Sequence, residues 1–246
     1  PVVAASSPHD CFAAVYEACR IAVQHMTPII FLSDGYIANG AEPWRFPQSS
    51  GLPEVPVHFK KELGEGEEKF HPYLRDERLV RPWVVPGTPG MEHRIGGIEK
   101  QNITGNVSYD PENHQFMVKT REEKVEKIAD DIPEQQLDSG PAEGDLLVLG
   151  WGSTYGVIKS AVAELQSEGY AVAHGHIRYL RPFPKNLGDI IRNFKRVLIP
   201  EINNGQLIKI IRDKYLVDAK GYNKIMGVPI TKGELTRAMK GMLEEC

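Results

Sequence analysis

The sequence predicts an α/β protein whose C-terminal part forms a doubly wound parallel sheet. From Asp145 onward, short apolar runs alternate with amphipathic runs at helical spacing, which is typical of a parallel sheet covered by helices on both faces. Residues 35–110, in contrast, are rich in Pro and Gly and have few periodic runs. Apolar residues make up 41% of the 246 residues and charged residues 25%, which are ordinary proportions for a globular protein.

The first 34 residues read as strand, helix and strand. The run P-V-V-A-A-S begins apolar and β-branched, and Ser7 and Pro8 then mark a helix start as N-cap and first helical residue. The apolar face of this helix is predicted to hold Phe12, Val15, Tyr16, Cys19, Ala22 and Val23. The run P-I-I-F-L-S-D-G follows, and its continuous apolar character is typical of a strand buried in a parallel sheet.

Two buried strands and one helix cannot cover both faces of such a sheet. The chain also begins with Pro1 rather than Met, almost inside the first strand. We therefore expect a truncated N-terminus, with most of a first α/β domain upstream. The alternative is that these two strands join the sheet of the second domain.

The middle of the chain is aperiodic as far as Asp110. Long segments of this kind are either functional or disordered. Asp110 and Pro111 then open a polar helix with a predicted inward stripe of Val118, Val125, Ile128 and Ile132. Residues 133–144 have the composition of a linker.

Regular elements follow the linker. Strands are predicted at D-L-L-V-L-G, Y-A-V-A-H-G-H-I and R-V-L-I-P-E, and the chain closes with K-I-M-G-V and a last helix. Helices are predicted at residues 153–169, 187–194, 206–216 and 232–245, with Gly169 as a C-terminal cap.

Charge and cysteine content exclude several classes of protein. The net charge of −4 argues against a nucleic-acid-binding surface. No apolar run approaches the roughly 20 residues that span a bilayer, and no secretory signal opens the chain, so we expect the cytoplasm. Three cysteines cannot build a four-cysteine iron–sulfur site. Cys11 and Cys19 are expected to be small core residues, and Cys246 ends the chain.

The segment G-W-G-S-T-Y-G lies between a strand and a helix, which is the setting of a dinucleotide-binding loop. Its third glycine comes one residue late, and the next strand ends with histidines and Arg178 where an acidic residue should bind a ribose. We therefore interpret it as a tight turn in which Ser153 or Thr154 caps the helix, and keep NAD(P) binding as an alternative.

Two groups of polar residues are candidate sites. Glu92, His93 and Arg94 have the residue types of an acid–base cluster, or they clamp their own loop. Residues of P-E-I-N-N-G-Q-L lie at the carboxyl end of a strand, where ligands and partner surfaces gather. The candidates there are Glu201, Asn203, Asn204 and Gln206. Helix capping by an asparagine is the alternative, and a buried Glu201 needs hydrogen bonds from backbone N–H groups or an arginine.

Several longer motifs resemble a known family. They are L-S-D-G-Y-I-A-N-G-A-E-P-W-R-F-P, P-G-T-P-G-M-E-H-R-I-G-G and T-G-N-V-S-Y-D-P-E-N-H-Q-F-M-V-K-T-R. All three resemble α subunits of 2-oxoacid:ferredoxin oxidoreductases, and the 2-oxoglutarate type (2-oxoglutarate synthase) most closely. H-I-R-Y-L-R-P-F-P and P-E-I-N-N-G-Q-L resemble that subunit's transketolase C-terminal-like domain.

The resemblance implies a domain order. Residues 1–50 would be the end of a truncated thiamine-diphosphate-binding domain of the pyrimidine type. Residues 51–143 would be an irregular connecting segment with one helix, ordered by packing against the missing domain half and a partner subunit. Residues 144–246 would be the transketolase C-terminal-like domain.

The resemblance also implies cofactors and partners. The whole enzyme would use thiamine diphosphate, Mg²⁺ and an iron–sulfur cluster, and none is expected on this chain alone. The family's Tyr-Pro-Ile-Thr-Pro motif and its cofactor-pressing acid have no counterpart here, so we assign no catalytic residue and expect the chain alone to be inactive. The implied partners are the β subunit, ferredoxin, coenzyme A and a second copy of the chain in a homodimer.

Three other functions compete with this one. A branched-chain 2-oxoacid would keep the reaction and change the substrate. A non-catalytic assembly or dimerisation module would bind only the partner subunit. An independent NAD(P)-binding domain would use the glycine-rich turn.

Overall fold

The computed structural model describes residues 1–244, which form two compact units. Unit 1 consists of Pro1, Tyr16–Ile30 and Phe46–Asp131. Unit 2 consists of Val2–Val15, Phe31–Arg45 and the chain from Ile132 onward. Each unit therefore combines separate stretches of sequence, and the consecutive domain boundaries at 50 and 143 stay a prediction.

The helices and strands alternate most regularly in unit 2. The helices are α1 (Asp10–His25), α2 (Gly35–Asn39), α3 (Pro111–Lys127), α4 (Tyr155–Ser167), α5 (Leu187–Arg192), α6 (Gln206–Tyr215) and α7 (Lys232–Glu244). The strands are β1 (Val2–Ala4), β2 (Ile30–Leu32), β3 (Leu137–Ser139), β4 (Gly144–Trp151), β5 (Val172–Ile177), β6 (Tyr179–Arg181), β7 (Phe194–Glu201) and β8 (Lys220–Asn223). Short 3₁₀ turns lie at Ser49–Gly51, Ile128–Asp130 and Gly152–Thr154.

The main sheet of unit 2 has the order β3-β5-β4-β7-β8. Strands β5, β4, β7 and β8 pair in parallel, and β3 joins β5 antiparallel at one edge. Leu147 and Leu149 of β4 pack in a core with residues of α5 and α6, whereas Leu146 and Val148 pack in a second core with residues of α4 and α7. Since successive strand residues point to opposite faces, helices cover both faces of the sheet. The predicted doubly wound parallel sheet is confirmed.

The last strand of the main sheet precedes the apolar run K-I-M-G-V. The apolar run K-I-M-G-V is not a strand, and its Ile225, Met226 and Val228 are 63%, 75% and 52% exposed. The strand is instead the preceding polar segment β8, which pairs with β7. An edge strand is held by backbone hydrogen bonds on one side only, so it does not require the apolar pattern of a central strand.

The two N-terminal strands lie in a separate three-stranded sheet of order β2-β1-β6. Strand β1 runs antiparallel to β6, with Val2 opposite Arg181 and Val3 opposite Tyr179. The expected parallel arrangement is therefore wrong for the pairing of β1 with β6. The alternative holds only in part, because β6 follows β5 in the chain but lies outside the main sheet. A three-residue apolar run contains no signal for the direction of its pairing.

Helix α1 buries a face of mostly small residues. The buried residues are Ala14, Ala18, Ile21 and His25, with exposed fractions of 0–7%. The predicted face is wrong, since Phe12 and Val15 are 39% and 42% exposed and Cys19 is also exposed. The predicted face and the buried face both repeat at helical spacing, and the small residues of the buried face allow closer packing. Cys11 is partly buried, and Cys246 lies outside the described residues.

The predicted inward stripe of α3 is confirmed beyond the end of the helix and wrong at Val118. Ile128 and Ile132 are buried as predicted and Val125 is partly buried, whereas Val118 is 45% exposed and Met117 and Thr120 are buried instead. The flexible thioether of Met117 occupies the inward position that the β-branched Val118 was expected to take.

The glycine-rich segment before α3 is ordered by contacts within unit 1. Glu99 accepts hydrogen bonds from Arg121 at 3.2 and 3.3 Å and lies 2.5 Å from Nδ1 of His114. These two partners, Arg121 first, lower the pKa of Glu99 to about 2. Asn113 accepts from the Asn102 N–H at 2.9 Å and donates to a backbone carbonyl at 3.0 Å. Side chains of α3 thus anchor the segment that precedes it.

We expect Gly150→Ala to lower the free energy of unfolding by about 1–3 kcal/mol through overpacking. An added Cβ would lie 2.2 Å from Cδ1 of Ile158 and 2.9 Å from Oγ1 of Thr154. Gly156→Ala is the matched control, because nothing lies within 4 Å of its added Cβ. It should be neutral or stabilising by up to about 1 kcal/mol, since Ala favours a helix over Gly. Urea denaturation measures both, and equal effects would contradict the packing argument.

Candidate functional site

The carboxyl ends of β4 and β7 place Trp151 and Glu201 side by side. The two strands are parallel neighbours, so their last residues reach the same edge of the sheet. Trp151 Nε1 donates to Oε1 of Glu201 at 3.2 Å. Glu201 is only 1% exposed, so its carboxylate requires further donors.

Those donors come from the start of helix α6. Leu207 N donates to Oε1 of Glu201 at 2.9 Å, and Ile208 N donates to Oε2 at 3.2 Å. Asn203 Nδ2 donates to Oε1 at 3.1 Å. The predicted backbone hydrogen bonds are confirmed, and among the described residues no arginine pairs with Glu201. A negative charge at a helix N-terminus is stabilised by the unpaired N–H groups and the helix dipole.

The other residues of this motif have separate roles. Asn203 Oδ1 accepts from the Gln206 N–H at 2.9 Å, so the capping alternative is confirmed for Asn203. The side chains of Asn204 and Gln206 are exposed. A role for this edge as an interface stays a prediction. Arg178 lies elsewhere, with Nη2 2.5 Å from Oδ1 of Asp10.

The glycine-rich turn after β4 is occupied by a carboxylate of the protein itself. Asp34 Oδ2 accepts from Ser153 N at 3.0 Å, while Oδ1 accepts from the N–H groups of Tyr36 and Ile37 at 3.0 Å each. Gly152 has a φ of +62°, the left-handed conformation that glycine adopts most easily. A bound diphosphate would meet the negative charge of Asp34 at this turn, which supports the tight-turn interpretation over dinucleotide binding. Asp34 was missed as a site residue, although an Asp before a short helix is a recognised N-cap signal.

A cavity of about 990 Å³ in unit 2 lies beside this turn. Residues 35–42, 153–157 and 227–230 form most of its wall. Its charged groups are already paired: Glu42 accepts from Ser7 Oγ and His9 N at 2.7 and 2.9 Å, and Lys224 donates to both oxygens of Glu234 at 2.9 Å. A ligand in this cavity would therefore be held by the shape of the wall and by neutral polar groups.

Two buried histidines of β5 lie near the same turn. The rings of His174 and His176 are 5.5 Å apart, and that of Tyr155 lies 5.3 and 5.0 Å from them. Both ring nitrogens of His174 are buried without a hydrogen-bond partner in the described structure, whereas Nε2 of His176 lies 3.1 Å from the Gly152 carbonyl oxygen. Burial lowers the pKa of His174 to about 4 and that of His176 to about 3. Both histidines are therefore neutral near pH 7.

The predicted acid–base cluster of Glu92, His93 and Arg94 is not brought together. His93 and Arg94 are exposed, and no hydrogen bond or ion pair joins the three in residues 1–244. Nδ1 of His93 lies 2.8 Å from the Met91 carbonyl oxygen, and its ring packs edge-on against Phe70 at 4.9 Å. His93 therefore stabilises its own loop, and a binding role for His93 or Arg94 stays a prediction.

Two family models match the chain. The model of pyruvate flavodoxin/ferredoxin oxidoreductase, thiamine-diphosphate-binding, matches residues 1–109. The model of pyruvate:ferredoxin oxidoreductase core domain II matches residues 144–234. The 2-oxoglutarate oxidoreductase subunit KorA of Mycobacterium tuberculosis is 46% identical over 243 residues, covering 98% of this chain and 36% of the relative. In both matched segments the chain is therefore similar to the α subunits of 2-oxoacid:ferredoxin oxidoreductases.

Other proteins of this kind resemble the chain to different extents. The 2-oxoglutarate:ferredoxin oxidoreductase from Magnetococcus marinus, solved with 2-oxoglutarate, coenzyme A and succinyl-CoA bound, is 25% identical with a TM-score of 0.86. The match covers 99% of this chain and 42% of that chain. The ketoisovalerate oxidoreductase subunit VorA of Pyrococcus furiosus is 35% identical, but over only 28% of this chain and 18% of the relative. This chain thus spans 36% of the Mycobacterium tuberculosis relative and 42% of the Magnetococcus marinus chain.

We expect Glu201→Ala to lower the free energy of unfolding by about 1.5–3 kcal/mol. The substitution removes a buried acceptor of charge-assisted hydrogen bonds and leaves its donors unpaired. Glu143→Ala is the control, because Glu143 is exposed, and its effect should stay within about 0.5 kcal/mol. Chemical denaturation of both variants measures the difference. Equal stability of the two would mean that the Glu201 hydrogen bonds contribute nothing net.

The buried histidines predict a loss of stability in acid. Their folded pKa values of about 4 and about 3 lie below the ordinary value of 6.5, so the unfolded chain binds these protons more readily. Their contribution to the free energy of unfolding is complete above about pH 6.5. It falls as the pH is lowered toward about 4, by up to roughly 1.4 kcal/mol per pH unit for each histidine.

Denaturation curves between pH 7 and pH 4 measure this loss. His174→Leu removes one of the two titrating groups and should flatten the slope. His58→Leu is the matched control in an exposed position and should leave the slope unchanged. If the His174→Leu variant kept the wild-type slope, the pKa of His174 would be the same in the folded and unfolded states.

Proposed function

We propose that this chain is part of the α subunit of a 2-oxoglutarate:ferredoxin oxidoreductase, which converts 2-oxoglutarate and coenzyme A to succinyl-CoA and carbon dioxide and transfers the two electrons released to ferredoxin. The observation that carries the proposal is 46% identity, over 98% of the chain, with a 2-oxoglutarate oxidoreductase subunit. Because the chain spans 36% of that relative, the activity belongs to the whole enzyme.

Thiamine diphosphate is the cofactor that this proposal requires, and it supplies the stabilised carbanion for decarboxylation. The match of residues 1–109 to a thiamine-diphosphate-binding family supports a contribution of this chain to the cofactor's domain. The described residues do not fit its diphosphate end. Residues 1–244 contain no group of three or more His, Cys, Asp or Glu side chains that could hold a metal ion, and Asp34 fills the glycine-rich turn. No catalytic step is therefore assigned to side chains of this chain.

Other parts of the enzyme would hold the remaining cofactors. Mg²⁺ would accompany the diphosphate, and an iron–sulfur cluster needs more thiolates than the three cysteines of this chain. A β subunit is the proposed direct partner, with coenzyme A and ferredoxin bound by the whole complex and a homodimer of the chain as a further proposal. No helix within the described residues is long and apolar enough to cross a membrane. The cytoplasm remains the proposed location.

A branched-chain 2-oxoacid is the competing substrate. The match to a ketoisovalerate oxidoreductase subunit covers 28% of the chain, whereas the match to the 2-oxoglutarate oxidoreductase subunit covers 98%. This difference in coverage favours 2-oxoglutarate.

The test is substrate-dependent reduction of a viologen dye by the whole enzyme that contains this chain, with coenzyme A present. We expect kcat/KM for 2-oxoglutarate to exceed that for 2-oxoisovalerate by at least about 100-fold, since a site built for a second carboxylate leaves buried polar groups unpaired with an apolar substrate. A preference for 2-oxoisovalerate would support the branched-chain function. Absence of reduction with both substrates would contradict the proposal.

The same assay separates the role of this chain from that of the whole enzyme. We expect the 246-residue chain alone to reduce no dye, even with thiamine diphosphate, Mg²⁺ and coenzyme A added. The physical reason is the lack of a metal-ligand group among the described residues and of a fourth cluster cysteine. Dye reduction by the chain alone would show that it holds a complete active site.

A further inference from the structure

Unit 1 contains a cavity of about 490 Å³ that is lined by both apolar and charged residues. Val23, Val80, Pro82 and Trp83 contribute the apolar part. Trp83 is held in place by a hydrogen bond of 2.8 Å from Nε1 to the Val23 carbonyl oxygen. This volume is within the range of small-molecule sites.

The carboxylates of the cavity wall already have partners. Glu67 forms an ion pair with Lys60. Oδ2 of Asp131 lies 2.8 Å from Nε2 of His25 and 3.5 Å from Nη1 of Arg78. Asp76 Oδ1 accepts from the backbone N–H groups of residues 78 and 80, and its Oδ2 lies 3.6 Å from Nε of Arg78.

Two arginines of the wall have only neutral partners. The guanidinium of Arg81 lies 4.4 Å from the ring centroid of Tyr73, and within residues 1–244 it makes no hydrogen bond or ion pair. Arg75 lies 5.3 Å from the same centroid and donates to Oδ1 of Asn102 at 2.9 Å, to the Tyr73 carbonyl oxygen and to the Met117 sulfur. Both are partly buried, so their charges are poorly screened by water.

The positive charges of Arg75 and Arg81 also repel the charge of a lysine in helix α3. Lys124 donates to the Met26 carbonyl oxygen at 3.1 Å. Burial, followed by the charges of Arg81 and Arg75, lowers its pKa to about 8, and the charge of Asp76 opposes the change. Burial and the charge of Arg81 also lower the pKa of Arg75. A cluster of like charges of this kind is stabilised by an added anion.

We propose that this cavity binds a small molecule with two or more anionic oxygens beside an apolar group, with Arg75 and Arg81 as the residues that bind the anion. A guanidinium presents paired N–H donors that match a carboxylate or a phosphate. Both phosphate esters and dicarboxylates carry such anionic oxygens. The apolar part of the wall around Trp83 would contact the rest of the molecule. The inference rests on unit 1 alone and does not depend on the proposed function.

Isothermal titration calorimetry of the 246-residue chain at low ionic strength tests the proposal, with inorganic pyrophosphate and succinate as separate probes. We expect saturable binding of at least one probe, and the probe that binds distinguishes a phosphate site from a dicarboxylate site. Arg81→Gln should weaken binding at least about tenfold, since a hydrogen bond to a charged group contributes about 1.5–3 kcal/mol. Lys119→Gln, which removes one exposed charge from α3 outside the cavity wall, should change the affinity by less than about threefold.

Two further measurements distinguish lost binding from lost folding. Thermal unfolding of each variant reports on the fold, and Arg81→Lys keeps the charge, so it should bind more tightly than Arg81→Gln. The wild-type affinity should also fall as salt is raised, because screening weakens the attraction. The proposal is overturned if the wild-type chain binds neither probe, if its affinity is independent of salt, or if Arg81→Gln and Lys119→Gln bind alike.

Discussion

The carboxylate of Glu201 is the point at which two central strands and a helix of unit 2 are joined. It accepts hydrogen bonds from the indole N–H of Trp151 at the end of β4 and from the backbone N–H groups of Leu207 and Ile208 in the first turn of α6. A carboxylate that is 1% exposed is costly to bury unless such donors are in place. The end of β4 and the start of α6 are therefore held in position by the requirement to satisfy one charge.

Asp34 has the same physical role at the glycine-rich turn. Its two oxygens accept N–H groups from the start of α2 and from Ser153, which precedes α4. The glycines of this turn are explained by space and backbone conformation: Gly150 packs against Ile158, and Gly152 adopts a left-handed φ. In unit 2, carboxylates of the protein itself therefore lie at helix N-termini, which is where phosphate groups bind in nucleotide-binding folds.

Unit 1 has the opposite electrostatic character at its cavity. The carboxylates of that wall are engaged by Lys60, Arg78 and His25, whereas Arg75 and Arg81 have only neutral partners. The sequence carries a net charge of −4, so this local excess of positive charge is invisible in the composition. It arises because Arg75 and Arg81, six residues apart, lie in a wall whose carboxylates are engaged by other partners.

The resemblance to a family, the doubly wound sheet of unit 2 and the hydrogen-bonded role of a buried Glu201 were all predictable from the amino-acid sequence. Long alternating runs and a buried strand end leave few alternatives, because apolar periodicity and the need to pair a charge act locally. The sequence did not determine the inward face of α1, the antiparallel pairing of β1 with β6 or the place of Asp34. Only the tertiary structure decided these features. Two faces of α1 share the helical period, three-residue strands carry no directional signal, and Asp34 meets Ser153 across more than a hundred residues of chain. Contacts over such a separation depend on the packing of the whole unit and have no signature in a short stretch of sequence.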